Sequence, residues 1–523
     1  MSSSITDGTR RTSRFVIHPH VFGFSAGLII LFVIVTLANL DVAEAAFGTA
    51  RDAITRWFGW FLVLSVQGFL LFCIYLALSR FGYIRLGGPG ARPEFSTASW
   101  FAMLFAAGMG IGLMFWSVAE PILHLQNPPG STGMSADGAT RSMDLTFLHW
   151  GFHAWGIYAL VGLALAYFTF NRGLPLTIRS AFHPLLGDRI NGALGNVIDV
   201  LAVVATMFGL ATSLGFGVAQ VNSGLNYVFG IAISGPMQML LIAIITAVAT
   251  VSVVTGVDKG IKRLSQLNLL AGIALLVFVV LVGPSLFLFK HFVQSTGHYL
   301  QNLLTLGSWT ETYVREASWQ GQWTVFYWSW WIAWSPFVGM FIARISKGRT
   351  VREFVLGVLI VPSVLTFIWI SVFGGSAIYE TLFVDSGILD AANNNVSTAL
   401  FELLTRYPLA DVTAMLAVFL IFVFFVTSAD SGALVIDIIT SGGNINPPVA
   451  QRIFWAVLAG VVAAVLTIGG GLTALQTAAI TTGLPFALVL VLMAWCLLKA
   501  LREELPPLTC AAVRELHRRE PEE

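Results

Sequence analysis

Apolar residues occur along this chain in long runs, and short polar segments separate the runs. Twelve of these runs reach the ~20 residues that an α-helix needs to cross a lipid bilayer. The predicted spans begin near Val21, Trp57, Thr97, Met143, Asn191, Pro236, Gln266, Gln320, Val351, Leu409, Ala450 and Leu475. The pattern therefore predicts an all-α integral membrane protein with twelve transmembrane helices.

Two of the predicted spans contain residues that interrupt helices. The third span has Gly108, Gly110 and Gly112 at alternate positions, and the eighth has Pro336 and Gly339 near its middle. Glycine weakens a helix and proline removes a backbone hydrogen bond, so broken helices persist in a membrane only where protein or a cavity surrounds them. The two interruptions lie five spans apart. This spacing predicts two inverted five-helix repeats, as in secondary transporters, preceded by two extra helices.

The predicted segments follow from these interruptions and from the polar stretches between runs. They are an N-terminal tail (1–20), two peripheral helices (21–96), a first repeat (97–290), an amphipathic surface helix and loop (291–319), a second repeat (320–500) and a short C-terminal tail (501–523).

Basic residues predict the orientation of the chain in the membrane. If the N-terminus is cytoplasmic, 22 of the 28 Lys and Arg residues fall on the inner side, which satisfies the positive-inside rule. Both termini are therefore predicted to be cytoplasmic. The first apolar run follows the basic stretch RRTSR but is too long for a secretory signal core, and we interpret it as a retained helix.

Composition narrows the possible functions. Hydrophobic residues make up 56% of the 523 residues and charged residues only 11%, whereas about one quarter of a soluble domain is charged. The net charge of +1 gives no indication of a nucleic-acid partner. Cys73, Cys496 and Cys510 are scattered and odd in number, so neither a disulfide framework nor a thiolate metal site is predicted.

Aromatic residues are concentrated in the eighth span, in the segment FYWSWWIAWSPFVGMF. On an ideal helix Trp330, Trp334, Phe337 and Phe341 fall within roughly 60° of one another, and Trp331 lies to one side. Such residues also pack cores and form belts at membrane interfaces, but this cluster lies near mid-span, where transporter sites are expected.

A cluster of aromatic rings without a dedicated carboxylate suits quaternary ammonium ions. The fourth span adds Trp150, Trp155 and Tyr158 to the cluster. Methyl groups on a quaternary nitrogen donate no conventional hydrogen bonds, and attraction to each ring face contributes about 0.5–2 kcal/mol. The pattern therefore favours binding of an organic cation.

Ionisable residues in apolar runs are costly and are candidates for function, here for a proton relay. Asp199 and Asp430 are such residues, although pairing with a backbone group or a serine is an equal alternative. Glu120 is a third candidate for the relay, although it lies near a helix end and is expected to cap or pair there. His149 and His153 are spaced i, i+4 but lack the glutamate of a zinc hydrolase motif, so we interpret them as packing residues.

Hydroxyl groups in the tenth span leave two alternatives open. Thr427 and Ser428 offer oxygen ligands to a hard cation such as Na⁺, or they hydrogen-bond their own helix.

Several segments resemble the betaine/carnitine/choline transporter family. These are AAGMGIGLMFWSVAEP, WSWWIAWSPFVGMFIARISKGR and VTSADSGALV. The segments LPLTIRSAFHPLLGDRINGALGNVID and ISVFGGSAIYE look most like the branch that imports choline. The resemblance implies an inverted-repeat symporter fold in a bacterial inner membrane, a homotrimer, and uptake of trimethylammonium compounds for osmoprotection. The stretch from His291 to Leu306 matches a surface helix at the trimer contact of relatives.

The resemblance also assigns site residues by position. It implies that the aromatic box contains Trp150, Trp155, Tyr158 and Trp331, and that the substrate pathway is lined by Trp330, Trp334, Phe337 and Phe341. The backbone at Met109 and Gly110 is expected to contribute N–H groups to the substrate. No cofactor is expected apart from the coupling ion.

Coupling to H⁺ or Na⁺ is less constrained by the resemblance. Sodium-coupled relatives build one cation site from positions that correspond here to Ala106, Met109, Phe424, Thr427 and Ser428. A second proposed site uses two threonines, and this chain has Thr206 but Leu210 at the other position. Leucine offers no oxygen ligand, so the sequence favours proton coupling.

The expected function is therefore import of choline, with sodium-coupled glycine betaine uptake as the alternative. A channel for organic cations would need a polar pore, which an aromatic cage would block. An intramembrane enzyme would need a nucleophile with an orienting base, and the sequence offers no such pair.

Overall fold

The computed structural model describes residues 15–108, 110–255, 258–314, 319–384 and 387–505, with backbone alone at 255 and 258–263. Nearly all regular structure in these residues is helical; the exception is an isolated antiparallel bridge between Arg85 and Thr350. The helices before residue 283 are α1 (Pro19–Ala38), α2 (Leu40–Leu78), α3 (Thr97–Gly108), α4 (Ile111–Gln126), α5 (Ala136–Trp150), α6 (Phe152–Phe170), α7 (His183–Leu186), α8 (Ala193–Phe229), α9 (Gly235–Thr255) and α10 (Asp258–Val282).

The second part of the chain continues the same architecture. Its helices are α11 (Ser285–Gly307), α12 (Trp319–Gln322), α13 (Thr324–Ile345), α14 (Val351–Tyr379), α15 (Ile388–Asn394), α16 (Ala399–Thr405), α17 (Ala410–Thr440), α18 (Val449–Ile468) and α19 (Gly471–Glu504). Short 3₁₀ segments at Arg80–Tyr83, Ile178–Phe182, Gly187–Asn191 and Val396–Thr398 and a π segment at Glu380–Val384 connect or extend these helices.

The number of apolar spans differs from the predicted twelve. Among the described residues ten helices are long and apolar enough to cross a membrane, counting α5 with α6 as one, and α3 with α4 makes an eleventh. The remaining predicted span is α13, which is not among them. Most of its side chains are buried inside the bundle, so it contains tryptophan and serine where a lipid-facing helix would have aliphatic residues. The molecule is a multi-pass membrane protein.

The third predicted span is interrupted where the glycines indicated. Helix α3 ends at Gly108, helix α4 begins at Ile111, and the two are bent by 60° relative to each other. Met109, which both the substrate and the cation predictions included, lies outside the described residues. The interruption exposes the first turn of α4 to the interior of the bundle.

The predicted interruption of the eighth span is wrong, because α13 is one continuous helix. Pro336 has no N–H for the carbonyl of Ile332, but the hydroxyl of Ser335 donates to that oxygen at 2.7 Å and replaces the missing bond. Gly339 permits close packing instead, since a Cβ there would lie 2.6 Å from the Val161 side chain of α6.

Helix α13 occupies a central position in the bundle. It packs against α6, α8 and α19, while α17 packs against α8 and α4 packs against α14. This arrangement brings the interrupted third span, the fourth span and the aromatic eighth span around one interior space. The amphipathic helix α11 begins at Ser285, six residues before the predicted start at His291. The inverted repeats and segment boundaries stay predictions.

Candidate substrate-binding site

A cavity of about 310 Å³ lies inside the bundle at the interruption between α3 and α4. Its volume is at the lower end of the range for small-molecule sites. The eight predicted aromatic residues all line it: Trp150, Trp155, Tyr158, Trp330, Trp331, Trp334, Phe337 and Phe341. Phe341 is 37% exposed, so the cavity reaches the surface near the C-terminal end of α13.

The rings at the closed end of the cavity form a concave wall. Trp330 and Trp331 stack with their centroids 4.7 Å apart and their planes 13° apart. Trp150 meets Trp331 edge-on at 5.0 Å, and Tyr158 meets Trp155 edge-on at 5.3 Å. Perpendicular neighbours present their faces in several directions around one space, which is the arrangement that surrounds a cationic group.

Trp331 lies in this wall although the ideal helical wheel placed it to one side. Its centroid is 6.2 Å from that of Tyr158, and its face is stacked on Trp330. Helix α13 is continuous, so no break rotates Trp331 inward. The indole N–H donates to the backbone carbonyl of His149 at 2.8 Å, which fixes the ring. Because that donor is occupied, the ring offers its face to a ligand.

A buried polar cluster lies behind the wall and is centred on Glu120. One carboxylate oxygen of Glu120 lies 2.6 Å from Nδ1 of His149 and 3.2 Å from Nε2 of His124. The other accepts from the indole of Trp150 at 2.7 Å and from the hydroxyl of Tyr327 at 2.5 Å. Glu120, His124 and His149 are fully buried. The carboxylate therefore links α4, α5 and α13.

Sequence reasoning found Glu120 only as a capping or pairing residue or a relay candidate. The i, i+4 spacing of Glu120 and His124 on one helix was a signal for the cluster. His149 and His153 do not converge, since Nε2 of His153 lies 2.7 Å from the side-chain oxygen of Gln67. His149 instead reaches the hydroxyl of Thr324 with its second nitrogen, at 3.0 Å.

Three potential metal ligands meet in this cluster, with the ligand atoms of Glu120, His124 and His149 within 4.8 Å of one another. One oxygen of Glu120 already accepts hydrogen bonds from Trp150 and Tyr327, and the other lies within hydrogen-bond distance of both histidine rings. A divalent ion there would place positive charge behind rings that suit a cation, and like charges repel. The arrangement therefore favours a hydrogen-bonded cluster over a metal centre.

The N-terminus of α4 faces the cavity. Gly110 is its N-cap residue, none of the described side chains caps it, and Gly110, Ile111 and Gly112 line the cavity. Backbone N–H groups in the first turn of a helix lack intrahelical acceptors and, with the helix dipole, attract anions. Among the residues that line the described cavity there is no Lys or Arg. The helix terminus is thus the positive partner available to an anionic group.

Most of the predicted cation-site residues also reach the cavity. Ala106, Phe424, Thr427 and Ser428 line it. The Thr427 hydroxyl donates to the carbonyl of Val423 at 2.9 Å, so its oxygen retains lone pairs for a cation.

Thr206 and Leu210 do not line the described cavity. The buried hydroxyl of Thr206 donates to the carbonyl of Ala202 at 2.7 Å. Leu210 is fully buried and packs so closely on α17 that a Cβ at Gly432 would lie 2.7 Å from it. This region contains an apolar contact where two threonines would offer oxygens.

Asp199 and Asp430 are ion-paired and do not line the described cavity. Nε of Arg179 lies 2.8 Å from Asp199, which also accepts from the Arg179 backbone N–H at 2.9 Å. Arg452 lies 2.7 Å from Asp430. A backbone or serine partner was the alternative to a functional role, and a backbone partner is present for Asp199. The arginine partners were missed because Arg179 lies 20 positions before Asp199 and Arg452 lies 22 positions after Asp430, outside the helices that carry the two aspartates.

Several polar residues that sequence reasoning passed over also line the cavity. They are Ser213, Ser265, Asn268, Thr366 and Ser431. Asn268 of α10 is buried, and its side-chain oxygen has no partner among the described residues. Its position as an amide within an apolar run was the available signal.

Comparison with known proteins places the chain in a family. A family model described as betaine/carnitine/choline family transporter matches residues 20–506. This chain belongs to that family. It is 46% identical over 496 residues to a glycine betaine transporter of Acinetobacter baylyi, covering 94% of this chain and 75% of the relative. It is 48% identical over 501 residues to a glycine betaine/proline/choline/ectoine transporter of Vibrio parahaemolyticus, covering 94% and 88%.

Membership in the betaine/carnitine/choline transporter family confirms the family resemblance that the sequence motifs indicated. An uncharacterized transporter of Mycobacterium bovis is similar too, 47% identical over 508 residues that cover 96% of this chain and 85% of the relative. The names of the Acinetobacter and Vibrio transporters both include glycine betaine. The choline-importing branch is not distinguished by these comparisons.

Proposed function

We propose that this transporter takes up glycine betaine and binds its trimethylammonium group in the aromatic box of Trp150, Trp155, Tyr158 and Trp331. The observation that carries the proposal is the concave wall of these rings in an interior cavity, with stacked Trp330 behind Trp331. A quaternary ammonium ion gains about 0.5–2 kcal/mol from each ring face. Three or four faces then contribute a large part of the about 8 kcal/mol that micromolar affinity requires.

The carboxylate of glycine betaine has a partner in the same cavity. The uncapped N-terminus of α4, at Ile111 and Gly112, offers backbone N–H groups and the positive end of the helix dipole. Choline has a neutral hydroxyl there and gains less from such a partner. The Acinetobacter relative is named for glycine betaine alone, which adds support for glycine betaine over the choline that the sequence motifs favoured, whereas the name of the Vibrio relative includes both.

We predict that glycine betaine competes more strongly than choline for this site. The two ligands share the head group, so the difference comes from the interaction of the carboxylate with the α4 terminus. The measurement is uptake of labelled glycine betaine into proteoliposomes with increasing unlabelled glycine betaine or choline. Half-inhibition by choline at a lower concentration than by glycine betaine itself would contradict the proposed substrate.

Coupling to sodium at the Thr427 and Ser428 site fits this arrangement better than the proton coupling that Leu210 suggested. Thr427 and Ser428 line the same cavity as Ala106 of α3. A sodium ion between α3 and α17 would therefore contact helices that also border the substrate cavity. The carboxylates that were candidates for a proton relay in α8 and α17 are instead paired with arginines.

We predict that replacing external sodium with potassium lowers the initial rate of glycine betaine uptake at least fivefold. The reason is that potassium is a larger ion and does not fit a compact oxygen site equally well. A proton ionophore in the presence of a sodium gradient should change the rate less than twofold when the membrane potential is clamped. Uptake that persists in potassium and follows a proton gradient would instead establish the proton-coupled mechanism.

The proposal extends to orientation, physiology and assembly, with support from family membership and from the distribution of charge. With both termini cytoplasmic, the cavity mouth near Phe341 faces the cytoplasm, as in an inward-facing state of alternating access. Osmoprotection in a bacterial inner membrane and a homotrimeric assembly with α11 at the subunit contact complete the proposal.

A further inference from the structure

We propose that the buried carboxylate of Glu120 sets the preference of the aromatic box for positively charged head groups, acting through Trp150. This inference rests on the proposed function and adds a positioning residue to it. Glu120 does not line the described cavity. It contacts the wall from behind, through the 2.7 Å hydrogen bond from the indole N–H of Trp150.

The hydrogen bonds around Glu120 fit an ionised carboxylate. A carboxylate is an acceptor with about four lone-pair sites, and four side chains approach the two oxygens. Trp150 and Tyr327 bring N–H and O–H groups to one oxygen, and the two histidines bring ring nitrogens to the other. Among the described residues no Lys or Arg forms an ion pair with Glu120. The two histidines pair with it as ions only when they are protonated, so as neutral rings they leave its negative charge close behind the box.

That charge acts on a cation in the box in two ways. A hydrogen bond from the indole N–H to a carboxylate is charge-assisted, and it increases the electron density of the Trp150 ring that attracts cations. The cluster is fully buried, and the low local dielectric strengthens electrostatic attraction. Neither effect acts on a neutral ligand of the same shape.

The same cluster also holds the second tryptophan of the wall in place. His149 bonds Glu120 through Nδ1, and its backbone carbonyl accepts from the indole of Trp331 at 2.8 Å. The rings of Trp150 and Trp331 meet edge-on at 5.0 Å. The positions of Trp150 and Trp331 in the box thus both depend on the Glu120 carboxylate. Supporting residues orient the ligands of a metal site in the same way.

The test is Glu120→Gln, which retains the shape of the side chain and removes its charge. We measure displacement of labelled glycine betaine from purified full-length protein by choline, by glycine betaine and by 3,3-dimethylbutan-1-ol, the neutral isostere of choline. Choline affinity should fall at least tenfold because choline carries a net charge. Affinity for the zwitterion glycine betaine should fall threefold to fivefold, and affinity for the isostere should change less than twofold.

Two further variants separate charge from structure. Tyr327→Phe removes one hydrogen bond of the cluster but retains the carboxylate, so the ratio of choline to glycine betaine affinity should stay within twofold of the wild-type ratio. Glu120→Asp restores the charge and should return most of that ratio. If Glu120→Gln does not fold, Trp150→Phe takes its place, because it removes the indole N–H that donates to the carboxylate. Trp150→Phe must then lower the ratio of choline to glycine betaine affinity at least threefold.

The other outcomes overturn the inference. Equal losses for all three ligands in Glu120→Gln would assign a structural role, and unchanged affinities with lost ion-driven uptake would assign a relay role. Wild-type protein that binds neither ammonium compound would refute the proposed function itself. Wild-type binding with an unchanged ratio in Glu120→Gln would refute this inference alone.

Discussion

Trp331→Ala is expected to lower the affinity for glycine betaine at least ~100-fold, which corresponds to about 2.8 kcal/mol. The substitution removes a ring face worth about 2 kcal/mol when desolvated. It also leaves Trp330 without one of its two stacking partners and the His149 carbonyl without its donor. Alanine at the centre of a buried cluster of aromatic anchors typically has effects of this size. Binding of labelled glycine betaine to purified protein measures the loss.

Trp331→Phe should retain part of the affinity, with a loss of roughly tenfold. Phenylalanine keeps a ring face in the box but cannot donate to the His149 carbonyl, and an unpaired buried acceptor costs about 1–3 kcal/mol. Trp369→Phe is the matched control, since Trp369 is also buried but does not line the described cavity. Its affinity should match the wild type. Equal losses for Trp331→Ala and Trp331→Phe would indicate shape selection without cation–π attraction.

The position of Trp331 illustrates what a sequence pattern predicts about such a site. The 3.6-residue period placed Trp330, Trp334 and Phe337 on one stripe, and the structure finds them along one cavity. A helical wheel describes only the direction of each Cβ. The indole of Trp331 extends well beyond its Cβ and stacks on Trp330, so it enters the wall from the edge of the stripe. The family resemblance, not the helical period, predicted that Trp331 belongs to the aromatic box.

The sequence predicted an interruption of the helix in both the third and the eighth span. The two spans differ in whether a side chain replaces the backbone hydrogen bond that is lost. In the third span the glycines offer no side chain to replace lost hydrogen bonds, and the helix ends at Gly108. In the eighth span the hydroxyl of Ser335 takes over the carbonyl that Pro336 leaves free, and the helix continues. The residue that precedes a proline therefore matters as much as the proline.

The Glu120 cluster shows the limit of reasoning from sequence alone. A carboxylate beside Pro121 is visible in the chain, but its partners His149 and Tyr327 are 29 and 207 positions away. Glu120 and His149 are brought together because α4 packs against α5, and α13 adds Tyr327. Polar partners at such separations produce no periodic pattern, so only the structure identifies them.

Gly112→Ala is expected to lower the affinity for glycine betaine at least ~30-fold, or about 2 kcal/mol. A Cβ at position 112 would lie 2.7 Å from the Trp330 ring and 3.0 Å from the Trp150 ring, closer than van der Waals contact. Neither ring is free to move away. Glu120 holds the Trp150 indole, and Trp330 is stacked between Trp331 and Phe326. Overpacking of this kind costs typically 1–3 kcal/mol and here displaces two walls of the site.

Gly110→Ala is the matched control from the same turn. A Cβ there would have no described atom within 4 Å, and the extended backbone of Gly110, with φ −168°, suits any residue. Its N–H remains available, so affinity should stay within about twofold of the wild type, a change of less than ~0.5 kcal/mol. Titration with labelled glycine betaine and a thermal unfolding curve for each variant separate lost binding from lost folding. If Gly110→Ala weakens binding as much as Gly112→Ala while both fold, the flexibility of the α3–α4 junction, not contact with the rings, explains the glycine requirement.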